Sequence, residues 1–200
     1  MNVRFKKPVS FAKVLSSPSP AIFQHQQRLK TRKIVFLLWS LILIFFISWN
    51  FAIIAAPLAK INGYDEVASA IYHFFSHSCH QIDSRSFHIH DAPFAVCARC
   101  FGFYIGFLVG LVAYPFVFTI ENRDTPHPIW LILSVIPTAT DWSLGFFGIW
   151  NNTHLSRAIT AFLLGTVCVI FIVPMLTEFT SLLVGRRALH SVAPIEKSKK

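Results

Sequence analysis

The chain has 200 residues, 54% of them from the set AVILMFWYC and only 14% Asp, Glu, Lys or Arg, with 21 Phe. Soluble domains carry about a quarter charged residues, so this composition excludes a water-soluble globule and equally a mostly disordered chain. The net charge of +9 does not signal nucleic acid: eight of the 18 Lys and Arg lie in residues 1–33 and five in 185–200, flanking an apolar middle.

Residues 1–33 hold no Asp or Glu and are broken by Pro8, Pro18 and Pro20. They read as a disordered basic cytosolic tail, in which each cation near an anionic lipid surface is worth roughly 1 kcal/mol. A secretory signal needs an apolar core of about 7–15 residues and a small-residue cleavage site. The first apolar run, 34–56, is longer than that and uncharged, and it ends at Pro57. It reads as a retained anchor.

Three further runs, about 94–118, 129–150 and 158–184, are long enough for a hydrocarbon core of roughly 30 Å. The expected fold is all-α, a four-helix transmembrane bundle making up a membrane domain over 34–184. Gly102, Gly106 and Gly110 on the second span, and Ala161 and Gly165 on the fourth, repeat at the four-residue spacing that lets helix backbones approach in lipid. Pro115, Pro137 and Pro174 are expected to kink their spans.

Loop charges orient the bundle. The 57–93 segment has only Lys60 and Arg85, and 151–157 only Arg157, whereas the 185–200 tail is basic. Both termini are therefore expected in the cytosol, with the chain in the inner (plasma) membrane and 57–93 and 151–157 facing outward. Within 57–93, residues 65–81 are expected to form a short interfacial helix after Asn62-Gly63. Its apolar side carries Val67, Ile71, Phe74, Phe75 and Ser78; His73, His77 and His80 lie opposite.

Reactive side chains fall in three patches that this topology brings to one face. The first is Ser78, Cys79, His80 and Gln81 with Arg85 and Ser86; the second is Cys97, Arg99 and Cys100; the third joins Asp141 to Asn151, Asn152, His154 and Arg157. An ionisable residue inside a span is costly and marks a functional candidate. Asp141 is expected to pair with Arg157 or Arg99.

Two chemistries fit these residues. Cys79, His80, Cys97 and Cys100 supply mixed sulfur and imidazole ligands suited to zinc, and the CxxC step lets two thiolates grip one tetrahedral ion. His73 and His77 stand in reserve. In a catalytic version Asp141 would relay a proton, and Arg85, Arg99 and Arg157 would receive an anionic group of a lipid-linked or small-molecule substrate, as in a hydrolase or transferase. The alternative is thiol–disulfide exchange at Cys97 and Cys100, with Cys79 as the third thiol. A structural disulfide or zinc staple in a non-enzymatic scaffold uses the same cysteines. Cys168, in the fourth span, reads as a packing residue.

The stretch CHQIDSRSFHIHDAPFAVCARCFGFYIG, from Cys79 to Gly106, resembles a family of small predicted bacterial membrane proteins, the domain-of-unknown-function family two thousand and eighty-five. Cys79, His80, Gln81, Arg85, Ser86, Cys97, Arg99, Cys100, Gly102, Tyr104 and Gly106 match its first motif. Asp141, Asn152 and Arg157 match a second. The chain departs from the usual pattern at Phe101, Trp142, Leu144 and Ala161. The resemblance implies a shared site without naming a reaction.

Overall fold

The first apolar run forms the centre of a much longer helix, α1 (Pro20–Ile61), in a computed structural model that describes residues 20–120 and 122–192. Of the two expected basic tails, residues 1–19 and 193–200 lie outside the described residues. Residues 20–33 are helical rather than tail-like. Pro57 does not end α1 either. A proline deletes one backbone hydrogen bond, but Ile53 and Ala56 are fully buried against the elements that follow, and that packing carries the helix past it. The helix stops one turn later, where Gly63 at φ +80° lets Tyr64 N–H reach Ala59 O and Gly63 N–H reach Lys60 O.

Helix α2 (Asp65–Ser76) opens with Asp65 and Glu66, which suit the positive end of its dipole. It is shorter than the expected 65–81. Ser78 and Cys79 N–H both turn back to Phe75 O, and Gln81 takes φ +49°, so His80 lies off the helix. Phe75 is fully buried against α1, while Phe74 is 58% exposed and Val67 is open as well. The apolar side is thus divided between the protein and its surroundings.

A β-hairpin that the sequence reading lacks comes next. After a short 3₁₀ turn (Asp83–Arg85), β1 (Ser86–Ile89) pairs antiparallel with β2 (Ala92–Cys97), with Ser86 opposite Cys97 and Ile89 opposite Ala92. His90 at φ +51° and Asp91 make the tight turn. Residues 94–97 are therefore strand, and the second long helix, α3, runs Ala98–Val117.

The remaining helices are α4 (Ile129–Phe146) and α5 (His154–Val192). α4 stops short of residue 150, with Gly148 at φ +68° in the turn. α5 starts earlier than residue 158 because Thr153 Oγ1 accepts the Ser156 N–H at 3.0 Å, an N-terminal cap. Among the described residues, four helices are thus long and apolar enough to cross a membrane, and the all-α four-helix reading holds with the hairpin added.

The glycines set the helix packing. A Cβ on Gly102 would fall 2.6 Å from Ala158 Cα, and one on Gly106 2.8 Å from Phe162 Cα, so α3 and α5 touch backbone to backbone. Thr166 Oγ1 donates to Gly106 O across the seam at 3.0 Å. Along it, Phe107, Leu111, Tyr114, Val169 and Val173 form one core, with Cys168 packed against its edge. α4 packs chiefly on α5, and its Trp130, Ile132 and Ile136 remain exposed, as expected of a lipid-facing helix.

Candidate metal and anion site

The start of α3 concentrates the reactive groups. Cys97 is the N-cap residue and Cys100 lies in the first helical turn. The unpaired N–H groups and positive dipole end there favour thiolates. Cys97 Sγ and Cys100 Sγ are 3.4 Å apart, and together with Cys79 Sγ all three sulfurs lie within 4.8 Å of one another. Thiolates around one tetrahedral ion at about 2.3 Å stand roughly 3.8 Å apart, so this spacing suits a shared metal. All three cysteines are free thiols.

Cys79 is buried and held from several sides. The Cys97 N–H donates to its Sγ at 3.2 Å. Hydrogen bonds from the Cys100 and Cys97 thiols, and then from the backbone N–H groups of Cys97 and Gln81, outweigh burial and hold the Cys79 thiol well below its ordinary pKa.

Gln81 fixes this geometry. Its Nε2 donates to Tyr72 O at 2.7 Å and to Ala95 O at 2.8 Å, which ties the Cys79 segment to both α2 and β2. Tyr72 Oη donates to Pro93 O at 2.5 Å and reinforces the same joint. Ser86, opposite Cys97 in the hairpin, is buried and donates to Ile82 O.

A cavity of about 250 Å³ opens beside the sulfurs, and Arg85, Arg99 and Arg157 share its wall with Cys79, Cys97 and Cys100. Arg99 Nη2 pairs with Asp141 Oδ2 at 2.5 Å. Ser156 Oγ donates to Asp141 Oδ1 at 2.9 Å, and Asn152 Nδ2 donates to Asp141 O. The carboxylate, 8% exposed, thus holds Arg99 and accepts a hydrogen bond from Ser156. Of the two expected partners of Asp141, the structure selects Arg99. Arg85 and Arg157 have no carboxylate within 4.0 Å among the described residues, and Arg99 Nε is buried with no acceptor. Three clustered guanidiniums with a single carboxylate among them leave this wall of the cavity with net positive charge.

All three sequence patches meet here. Cys79 joins the first to the second, Arg99–Asp141 joins the second to the third, and His154 Nε2 lies 3.2 Å from Ser84 O to close the ring. His80 lines the cavity but its ring stays exposed and outside the three-sulfur group. His73 on α2 and His77 just past its end are exposed and also lie outside the three-sulfur group. Sequence reasoning gave Gln81 and Asn152 no role and overlooked Ser156. A lone serine in an apolar helix carries no signal of its partner.

Residues 79–171 match a family described as predicted membrane protein, DUF2085. The chain is 34% identical over 145 residues to Uncharacterized protein MJ1492 of Methanocaldococcus jannaschii, an alignment covering 70% of this chain and 93% of that protein. That relative is archaeal, which extends the resemblance beyond bacteria. No solved structure matches the chain. With its matched block running from Cys79 through the second motif, and a relative aligned over most of its length, this chain belongs to the DUF2085 family of predicted membrane proteins.

Proposed function

We propose that this protein binds a metal ion, most fittingly zinc, through Cys79, Cys97 and Cys100, and handles an anionic group at the adjacent arginines. The observation that carries the reading is the convergence of three sulfurs and three guanidiniums on one cavity of about 250 Å³. Thiolates select soft or borderline cations, and zinc takes four tetrahedral ligands. His80 beside Cys79 can supply the fourth ligand and make the ion structural. Otherwise that position would stay open next to Arg85, Arg99 and Arg157, and the ion would supply Lewis-acid chemistry there. The second arrangement suits a hydrolase or transferase acting on a lipid-linked or other anionic small molecule, with Asp141 positioning Arg99. The distribution of Lys and Arg supports an inner-membrane location with both termini cytosolic and this site outward.

Elemental analysis of protein purified without chelator tests the reading. About one zinc per chain is expected, and protein free of stoichiometric metal ends the proposal.

The 3.4 Å separation of Cys97 Sγ and Cys100 Sγ, with a third thiol beside them, also favours a second reading. Here the Cys97–Cys100 dithiol would reduce a disulfide of a partner protein. One disulfide forms, one breaks, and the two protons pass to the partner's sulfurs. Thiol trapping in intact cells checks it: permanently reduced cysteines dismiss it, and a redox-cycling pair supports it.

A further inference from the structure

The other rim of the bundle holds a second charged cavity. It lies about 20 residues from Cys100 along α3 and about 20 from Arg157 along α5, which is about 30 Å of helix. This cavity, of about 500 Å³, is walled by Arg28 and Arg32 of α1, by Thr119, Arg123 and Asp124 from the connection between α3 and α4, and by Thr177 of α5. A neighbouring cavity of about 800 Å³ has Leu29, Lys33, Phe36, Pro115, Phe118 and Ile120 on its wall, and it shares Arg32 and Thr119 with the first.

The connection that presents Arg123 is pinned. Thr177 Oγ1 donates to Ile120 O at 3.1 Å, Asn122 N–H donates to Thr119 O at 2.9 Å, and Asp124 N–H donates to Asn122 Oδ1 at 3.0 Å. Arg28 and Arg32 precede the apolar run that begins at Ile34, and Arg123 follows the end of α3, so the guanidiniums sit at the depth of lipid headgroups. A cationic pocket joined to an apolar trough at that depth has the shape of a lipid, with a phosphate above and an acyl chain below.

We propose that this rim binds one anionic glycerophospholipid, its phosphate held by Arg28, Arg32 and Arg123 and one acyl chain lying in the trough between α1 and the end of α3. Asp124 at the edge of the charged cavity suits a headgroup hydroxyl, which can donate to it. The lipid bridges α1 to the connection between α3 and α4. Free phosphate shares the headgroup chemistry but has nothing to fill the trough.

Native mass spectrometry of the full chain in detergent tests this, with phosphatidylglycerol, phosphatidylcholine and inorganic phosphate as separate probes. One phosphatidylglycerol is expected to be retained about tenfold more strongly than phosphatidylcholine, with no comparable protection of the fold by inorganic phosphate. The double variant Arg28→Gln/Arg123→Gln should lose at least tenfold in that retention. Thr119→Trp, which adds bulk where the two cavities meet and changes no charge, should lose it too. Equal retention of the two lipids by the unaltered protein overturns the proposal without any variant. Unchanged retention in either variant, or equal protection by inorganic phosphate, overturns it as well.

Discussion

Arg99 on α3 and Asp141 on α4 meet at 2.5 Å, in a pair whose carboxylate is 8% and whose guanidinium is 26% exposed. Because α4 packs chiefly on α5, this ion pair is a direct tie from α4 to α3. It also fixes the guanidinium that lines the cysteine cavity. Removing one partner of a buried pair leaves the other charge uncompensated, which is why the loss exceeds the worth of the bond itself. Asp141→Asn should destabilise the protein by about 2 kcal/mol, reduced from the fully buried case by the exposure of Arg99. Unfolding in detergent reads this, and a double-mutant cycle with Arg99→Ala should show coupling. A change below about 0.5 kcal/mol would place the pair among ordinary surface contacts.

Metal content should follow the sulfurs individually. Cys79→Ser, Cys97→Ser and Cys100→Ser should each lose most of the bound metal, and Cys168→Ser should retain it, since Cys168 packs against the α3–α5 core. Cobalt substitution provides an independent readout, because only sulfur ligation yields an intense thiolate-to-cobalt band. His80→Ala separates a closed structural site, which would lose affinity, from an open one, which would keep it.

Gln81 tests whether the joint behind the sulfurs matters. Gln81→Leu abolishes two hydrogen bonds and leaves Tyr72 O and Ala95 O without that donor. Loss of such supporting bonds typically lowers metal affinity by about 10–100-fold. Competition with a chromogenic chelator would measure it, and an affinity within twofold of the parent would show that the cysteines hold their places unaided.

The glycine seam makes a graded prediction. Gly102→Ala and Gly106→Ala drive a methyl into the α5 backbone, which cannot yield, and should cost about 1–3 kcal/mol each. Gly110→Ala meets the Val169 Cγ2 side-chain atom first, at 2.9 Å, and should cost less. Gly185→Ala has nothing within 4 Å and should be near neutral. Equal melting temperatures across the series would contradict the backbone contact.

The spans and the clustering of the three patches were legible because both rest on strong signals. Long uncharged runs must be helical in lipid, and a buried carboxylate must find a cation. The hairpin was hidden because Phe94, Ala95 and Val96 continue smoothly into the apolar α3 run, and because His90-Asp91 is not one of the common hairpin-turn pairs. The extent of α1 was hidden by Pro20 and Pro57, each of which reads locally as a boundary. Pro20 sits at the first turn, where its missing N–H is harmless, and tertiary packing overrides Pro57. Choosing between Arg99 and Arg157 as the partner of Asp141 needed three-dimensional distances that spacing along the chain does not contain.

The seam between α3 and α5 divides the cysteine cavity into unequal halves. Arg99, Cys100 and Arg157 ride on two rods welded together at Gly102 and Ala158, whereas Cys79 and Arg85 hang from the strap between α2 and β1. An ion gripped by all three sulfurs would act as a rivet through strap and rods. Stripping it out should loosen the strap alone, so that hydrogen exchange rises around residues 77–85 while the welded pair stays as protected as before.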